Sequence, residues 1–273
     1  MNWIYDLSYR IYDIPNWLFG LITISTFVLV AALGLIVSRR WTARIFRLSE
    51  GTNSTVNGFL AAVGVMYSLL AGLVAVGTWQ NQEAATATAS KEAELIFVLY
   101  RDVCAFPEPQ RHELQDRLKQ YLHFVIDVAF PAHRRGETAN GGTRILSDFQ
   151  GILTAYQPAT ANQQIMLSEA FTAFNKVVEA RRMRINAVDA GIPSVFWTVI
   201  MAGAVFSIML TYMFCLPSLK THLFFTGIFS LFLGFVIFLI AALDNPFRGD
   251  IGVSPAVYVS ALEGLKDLDP SGP

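Results

Sequence analysis

The sequence predicts an all-α membrane protein with four transmembrane helices and a helical extramembrane domain between the second and third spans. Hydrophobic residues make up 53% of the 273 residues and charged residues only 15%, a balance unusual for a soluble protein. Four segments contain no Asp, Glu, Lys, Arg or His, and each is long enough to cross an apolar bilayer core of about 30 Å. These segments are residues 18–37, 58–79, 194–216 and 223–243.

The spans divide the chain into four parts. Residues 1–79 form an N-terminal tail and a first transmembrane hairpin, residues 80–193 the extramembrane helical domain, residues 194–243 a second hairpin, and residues 244–273 a C-terminal tail. Because residues 80–101 contain no Pro or Gly and are rich in strong helix formers, the second span is expected to continue as one helix to about residue 104.

Three further helices are expected in the extramembrane domain. The first is amphipathic, begins after Pro109 and is expected to end near Pro131. The second covers residues 144–156. Thr160 and Gln163 have the spacing of a capping box, so a third, long helix is expected to begin there and to run to about residue 188.

The side of the membrane on which this domain lies depends on two sets of arginines. The connection after the first span carries Arg39, Arg40, Arg44 and Arg47 against the single acid Glu50. The positive-inside rule places this connection in the cytoplasm and therefore residues 80–193 outside. Three arginines just before the third span, at positions 181, 182 and 184, favour the opposite orientation, so both remain open.

Composition and spacing argue against several function classes. The net charge is −1 and no basic stripe is present, which excludes nucleic acid as a partner and leaves the lipid bilayer. Neither the four histidines nor the two cysteines have metal-ligand spacing, no catalytic set is visible, and no glycine-rich loop indicates a cofactor. A proton-coupled transporter usually keeps an ionisable residue at membrane depth, and these spans have none. A channel or a scaffold is therefore favoured over an enzyme.

Small residues recur along the second span at steps of three and four. They are Ala61, Gly64, Ser68, Ala71, Ala75 and Thr78, with Gly72 beside them. Small side chains allow helices to approach closely in lipid, so this face mediates either packing within one subunit or contact between copies around an axis. In the second case Leu69, Leu73 and Val76 would form a narrow apolar constriction.

The segment after the fourth span is dense in turn-forming residues. Its polar and turn residues are Asp244, Asn245, Pro246, Arg248 and Asp250. Two interpretations are open. One is an oxygen-rich ion site, and the other is a helix-end turn in which an Asp and an Arg pair at the membrane interface.

Several segments together resemble the bacterial bestrophin-like domain family over nearly the whole chain. They are Val65 to Ala71 leading to Trp79, Glu92-Ala93, Leu99 to Asp102 before Pro107, Arg181 to Arg184 before Gly191 to Pro193 and Trp197, and Leu243 to Gly249 with Val253 to Pro255. True bestrophins, to which this family is distantly similar, are anion channels that assemble as rings. Their second span lines the pore and carries an aromatic-rich constriction.

The sequence departs from true bestrophins in two respects. No Phe lies between Leu60 and Trp79, and no run of acids resembles the calcium-binding clasp of the animal members. The resemblance implies a homo-oligomeric ion channel for an inorganic anion in the bacterial cytoplasmic membrane. The alternative is a non-conducting membrane scaffold whose helical domain binds a partner.

Overall fold

The computed structural model describes residues 14–46 and 48–268. Within these residues the chain forms α-helices and no strand, as the composition and periodicity predict. The α-helices are α1 (Asn16–Ile45), α2 (Thr52–Val103), α3 (Gln110–Phe124), α4 (Phe130–Arg134), α5 (Gly142–Ala155), α6 (Ala161–Ala187), α7 (Ser194–Thr211), α8 (Leu219–Leu243) and α9 (Ala256–Leu265). A π-helical segment, Val125–Ala129, joins α3 to α4, and a 3-10 turn, Lys266–Leu268, follows α9.

Four of these helices are long and apolar enough to cross a membrane. They are α1, α2, α7 and α8, which contain the four apolar segments of the sequence. Four candidate spans are therefore confirmed by length and composition. The second span continues without interruption to Val103, as the absence of Pro and Gly from residues 80–101 predicts.

The chain folds into two compact units. Unit 1 contains α1, the part of α2 that ends at Gln80, α7 and α8. Unit 2 contains the rest of α2 from Asn81, helices α3 to α6, and α9. The residues after the fourth span therefore form a helix of unit 2 in addition to the irregular segment expected there.

Glycines bring α1 and α8 close together in unit 1. A Cβ atom added at Gly234 of α8 would lie 3.0 Å from the backbone Cα of Ile24 in α1. Gly20 of α1 leaves room for the ring of Phe238 in the same way. Close backbone approach of this kind is what holds helices together where lipid removes the hydrophobic drive.

The apolar core of unit 2 is formed mainly by α2, α3, α5 and α6. Phe149 of α5 stacks on Phe174 of α6 with ring centroids 5.3 Å apart, and both are buried. The expected end of a helix near Pro131 is wrong, because the helical path continues to Arg134. The π-helical segment changes the hydrogen-bond pattern before Pro131, which then lies in the first turn of α4, where its missing N–H is not needed.

The start of α6 follows the expected capping pattern with one difference. The Thr160 hydroxyl accepts a hydrogen bond from the backbone N–H of Gln163 at 3.3 Å. The Gln163 side chain returns to the backbone N–H of Ala159, at 2.7 Å, instead of that of Thr160. The predicted helix start is therefore confirmed.

Candidate functional site

From Tyr67 onward, buried positions recur along helix α2 at helical spacing. Its buried positions follow one another at steps of mostly three and four residues, the spacing of a single helix face. In unit 1 they include Tyr67, Ala71, Val74 and Thr78, and in unit 2 they include Ala85, Ala89, Glu92, Ile96, Leu99 and Val103.

Part of the predicted small face packs inside unit 1. Ala71 and Thr78 are each 1% exposed, and Ala75 packs against the same core. Ala71 shares this core with Ile200 and Ala204 of α7. At these three positions, small residues serve packing within one subunit, the first of the two interpretations.

The remaining positions of the predicted face lie open on the surface of unit 1. Ala61, Ser68 and Gly72 are exposed, and Gly64 is half-buried. A Cβ atom added at Gly64 or at Gly72 would meet no atom within 4 Å. At Gly64 and Gly72, therefore, no contact among the described residues requires a small residue.

The three predicted constriction residues are also exposed. Leu69 and Leu73 are 67% and 66% exposed, and Val76 is 48% exposed. Their spacing of four and three places them on one side of α2, beside Ser68 and Gly72. We call these five residues the open face of α2.

The open face differs from the exposed surface of α8. The large exposed side chains of α8 include four phenylalanines, Phe224, Phe225, Phe232 and Phe235. Bulky apolar side chains of this kind suit contact with lipid, whereas Ser68 and Gly72 interrupt the open face with small groups. Among membrane helices, small groups are typical of contacts with another helix.

Arg39 and Asn53 hold the connection between α7 and α8. The Arg39 guanidinium donates to the carbonyl oxygen of Leu216 at 2.7 Å. The Asn53 side chain donates to the Cys215 carbonyl at 3.0 Å and accepts from the Cys215 N–H at 2.8 Å. Arg39 was predicted to help orient the chain in the membrane. It also satisfies backbone carbonyl groups that follow the third span.

The other three arginines predicted to set the orientation are Arg40, Arg44 and Arg47. Arg40 and Arg44 are exposed near the end of α1, where their charges are available for orientation in the membrane. Arg47 lies outside the described residues. The orientation itself stays a prediction.

Two aspartates of the segment after α8 accept hydrogen bonds from N–H groups of unit 1. The Asp244 carboxylate accepts from the backbone N–H of Ile192 at 2.7 Å and from the indole N–H of Trp197 at 3.1 Å. The Asp250 carboxylate accepts from the backbone N–H of Asn16 at 2.9 Å, at the start of α1. Asp250 thereby satisfies one of the N–H groups that a helix start leaves unpaired.

The middle of the same segment belongs to unit 2. Asn245, Pro246 and Arg248 lie there, and the Pro246 carbonyl accepts from the Val253 N–H at 2.8 Å. Gly249, in unit 1, has a backbone φ of 69°, which glycine adopts most easily and which explains its place in the turn. Phe247 is buried in the core of unit 2.

A fully buried polar cluster lies inside unit 2. Glu92 of α2 is 0% exposed and Arg184 of α6 is 1% exposed. Arg184 Nε donates to one Glu92 oxygen at 2.5 Å, and Tyr258 of α9 donates to the same oxygen at 2.8 Å. Tyr121 of α3 donates to the other oxygen at 2.6 Å, so the carboxylate is fully satisfied.

His133 of α4 completes the cluster in its neutral form. Its Nδ1 lies 3.1 Å from the Glu137 carbonyl oxygen, which can only accept, so Nδ1 carries the proton. The other ring nitrogen then accepts from the Arg184 guanidinium. Burial, reinforced by the positive charge of Arg184, lowers the pKa of His133 to about 4.

The pKa values of Tyr121 and Tyr258 shift in the opposite direction to that of His133. Burial, reinforced by the charge of Glu92, raises the pKa values of Tyr121 and Tyr258 well above 10. Both hydroxyls therefore remain protonated donors. Arg184, Tyr121 and Tyr258 donate to the Glu92 carboxylate from three different helices, so this cluster ties those helices to α2 in unit 2.

Sequence reasoning did not identify this cluster as a unit. Glu92 and Arg184 occur in segments that resemble the family, but they lie 92 residues apart in sequence, and no local spacing connects them. One signal was available: Glu92 falls in the buried register of α2, and a charge in that position requires a partner. Within residues 14–46 and 48–268, no group of three or more His, Cys, Asp or Glu side chains could hold a metal ion.

Comparison with known proteins gives a family and a fold. A family model for the bestrophin-like domain matches residues 25–258. None of the curated proteins matches the chain.

Two solved structures are similar over nearly the whole chain. One is a crystal structure of a membrane protein, with a TM-score of 0.67, 12% identity, and coverage of 91% of this chain and 98% of that chain. The other is a crystal structure of a bacterial bestrophin homologue from Klebsiella pneumoniae, with a TM-score of 0.65, 12% identity and the same coverage. At this identity the likeness shows the fold alone.

Proposed function

We propose that this chain, which belongs to the bestrophin-like domain family, assembles with copies of itself into an ion channel in the bacterial cytoplasmic membrane. Inorganic anions are the proposed permeant ions, as the resemblance to true bestrophins implies. The open face of α2 carries the proposal. It would face the axis of the assembly and form the narrowest part of the pathway.

Two features of the open face support this position. Its small residues, Ser68 and Gly72, are exposed and make room for a close neighbour. Its larger residues, Leu69, Leu73 and Val76, lie on one side of the helix at steps of four and three. A ring of such helices would expose small polar and apolar groups alternately to the axis.

An apolar constriction can control ion flow without any charged residue. A narrow pore lined by Leu and Val side chains excludes water, and ions do not cross a dry constriction. The absence of ionisable residues from the apolar part of α2, residues 58–79, suits this mechanism better than proton-coupled transport. True bestrophins have aromatic residues at the constriction, whereas aliphatic side chains would serve here.

Ion flux through the purified full chain in liposomes tests the proposal. We expect the native protein to pass chloride in preference to sodium or potassium. Leu73→Ser and Val76→Ser should raise the flux, because a hydroxyl group wets the constriction. The matched control is Leu33→Ser on α1, where Leu33 is 60% exposed and Leu73 is 66% exposed. The control should leave the flux unchanged.

Each variant must first elute at the native oligomer size in detergent. If correctly assembled Leu73→Ser and Val76→Ser proteins pass no ion of either sign, the channel proposal is wrong. A scaffold role for unit 2 then becomes the better hypothesis. If the variants pass cations in preference to chloride, the anion part of the proposal is wrong and the channel remains.

A further inference from the structure

An apolar groove of about 740 Å³, formed mainly by α1 and α7, lies in unit 1. It is lined by Trp41 and Phe46 at the end of α1 and by Phe206 and Met209 of α7. Each of these four side chains is more than half exposed, so the groove opens on the outer surface of unit 1. A surface of this kind on a membrane helix faces either lipid or another helix.

The hydroxyl groups along the groove are engaged or buried. The Tyr212 hydroxyl donates to the Ala31 carbonyl at 2.8 Å, and the Thr42 hydroxyl donates to the Ser38 carbonyl at 3.1 Å. The Ser38 hydroxyl is itself buried. The walls therefore present apolar surface, and on the α1 side they follow positions 34–46, about 18 Å of helix. This length is comparable to that of an extended fatty acyl chain.

One end of the groove lies at a membrane surface. The Arg39 guanidinium donates to the Leu216 carbonyl at 2.7 Å, which places the end of α1 beside the chain that follows α7. Phe46 and Met213, the last lining residues on each side, therefore lie toward the same surface. The other end, at positions 34 and 203, lies deeper in the two apolar spans. The groove thus runs from the surface into the apolar layer.

Two arginines flank the surface end of the groove. Arg44 follows Trp41 at a step of three and Arg40 at a step of four, so it is a neighbour of both on the helix surface. Arg40 and Arg44 are exposed, and neither has a hydrogen bond or ion pair with another residue that the structure describes. Arg39, in contrast, is engaged with backbone carbonyls. Two positive charges are therefore available at the mouth of an apolar groove.

Unit 1 offers little negative charge to balance these arginines. Its acids within the described part of the chain are Glu50, Asp244 and Asp250, and the two aspartates already accept from N–H groups. A second copy seated on the groove through its own unit 1 would bring only Glu50 as a counter-charge. A lipid phosphate group supplies both the charge and the oxygen acceptors that guanidinium groups bind.

We propose that this groove binds an anionic glycerophospholipid, with one acyl chain along α1 and α7 and the phosphate group held by Arg40 and Arg44. Basic residues at the surface end of a pocket between membrane helices are typical of sites for acidic lipid headgroups. Inorganic phosphate would leave the apolar groove empty, and a zwitterionic lipid would bring its own positive charge to the two arginines.

Native mass spectrometry of the full chain in detergent tests this site without any measurement of ion flux. The delipidated protein is titrated with phosphatidylglycerol or with phosphatidylcholine that carries the same oleoyl chains. We expect one saturable lipid per subunit, with phosphatidylglycerol bound about twentyfold tighter, the effect of two arginines near the membrane surface. Arg44→Gln should reduce this preference about fivefold, and Arg40→Gln combined with Arg44→Gln should abolish it.

Matched variants separate the charge from the groove. Arg144→Gln removes an exposed arginine of unit 2 and should leave the preference unchanged. Met209→Trp fills the groove and should weaken the binding of both lipids by a similar factor. Val199→Trp changes the same helix outside the groove, at a position 47% exposed against 52% for Met209, and should change neither affinity.

Equal affinity for the two lipids overturns the proposal. So does a preference for phosphatidylglycerol that survives the removal of both arginines, and so does lipid binding that Met209→Trp leaves unchanged. Absence of saturable binding overturns it as well. Loss of the native oligomer in Met209→Trp but not in Val199→Trp would assign the groove to a second copy of the chain and would also overturn the lipid site.

Discussion

The two stretches of α2 follow the same spacing but have opposite polarity on their outer surfaces. In unit 1 the helix buries Ala71 and Val74 and exposes Leu69 and Leu73. In unit 2 it buries apolar residues together with Glu92, and it exposes charged side chains that include Glu83, Lys91, Glu94 and Arg101. Spacing decides which residues face the core, whereas the surrounding solvent decides what the exposed face can be.

The comparison also separates two uses of polar groups. In unit 2 the only way to bury Glu92 is to surround it with donors from several helices, which ties those helices together. In unit 1 the exposed Ser68 hydroxyl donates to the Val65 carbonyl of its own helix at 2.9 Å, and open space surrounds Gly72. Changes at Glu92 are therefore expected to affect the fold, and changes on the open face to affect assembly and function.

The largest expected effect is on the stability of unit 2. Glu92→Gln removes the charge that balances buried Arg184 and should lower the free energy of unfolding by about 3–5 kcal/mol. The free energy of unfolding is measured by titrating the full chain with urea and using limited proteolysis within residues 81–190 to detect unfolding of unit 2. The control is Glu94→Gln, whose partner Lys91 is exposed, with an expected change below about 0.5 kcal/mol. Equal effects at the two positions would contradict the structural role of the cluster.

The next largest effect is a pH dependence from His133. Its pKa is lowered to about 4 in the folded protein against about 6.5 in the unfolded chain, so the unfolded chain binds the proton more readily. The contribution of neutral His133 to stability is therefore fully present above about pH 6.5. The free energy of unfolding should fall by about 2–3 kcal/mol as the pH drops from 6.5 to 4.

Melting temperatures at pH 7.5 and pH 4.5 measure this dependence. His133→Gln should flatten it, whereas His123→Gln, at a position 61% exposed, should leave it as it is. A dependence that is identical in the native protein and in His133→Gln would assign the titration to another group.

A smaller effect is expected on assembly from the open face. Gly72→Leu fits within the subunit, because a Cβ atom there meets nothing within 4 Å, but it prevents close approach of another helix. We expect the oligomer to dissociate at protein concentrations about tenfold higher than for the native chain. Gly227→Leu on α8, which also has open space at Cβ, is the control. Size analysis in detergent across a dilution series decides, and an unchanged oligomer for Gly72→Leu argues against contact at this face.

Much of the fold was predictable because its signals are local. Missing charges located four spans, the absence of Pro and Gly predicted the long α2, and Thr160 marked the start of α6. Pro131 was misread because a π-helical segment has no sequence signal of comparable strength. The burial of Ala71 and the exposure of Ser68 were not predictable either, since both are small residues in the same pattern and only the packing of the other helices separates them.

The buried cluster around Glu92 was also not predictable from the sequence. Glu92, His133 and Arg184 come from three different helices, and only Glu92, in the buried register of α2, carries a local signal of burial. Asp244 is a similar case, because its partners Ile192 and Trp197 lie about fifty residues earlier in the sequence. Contacts over such distances depend on the packing of whole helices and have no local pattern.

Chemical modification of residue 73 tests most directly whether the open face lines an ion pathway. The protein would carry Leu73→Cys with Cys104→Ser and Cys215→Ser, reconstituted in liposomes, and would be treated from the water phase with a charged thiol reagent. We predict that the reagent blocks the ion flux, because the side chain lies at the narrowest point, and that it has no effect on Leu33→Cys in the same background. Flux that is unchanged although residue 73 is fully modified, or a residue 73 that the reagent cannot reach in a conducting protein, would contradict the account.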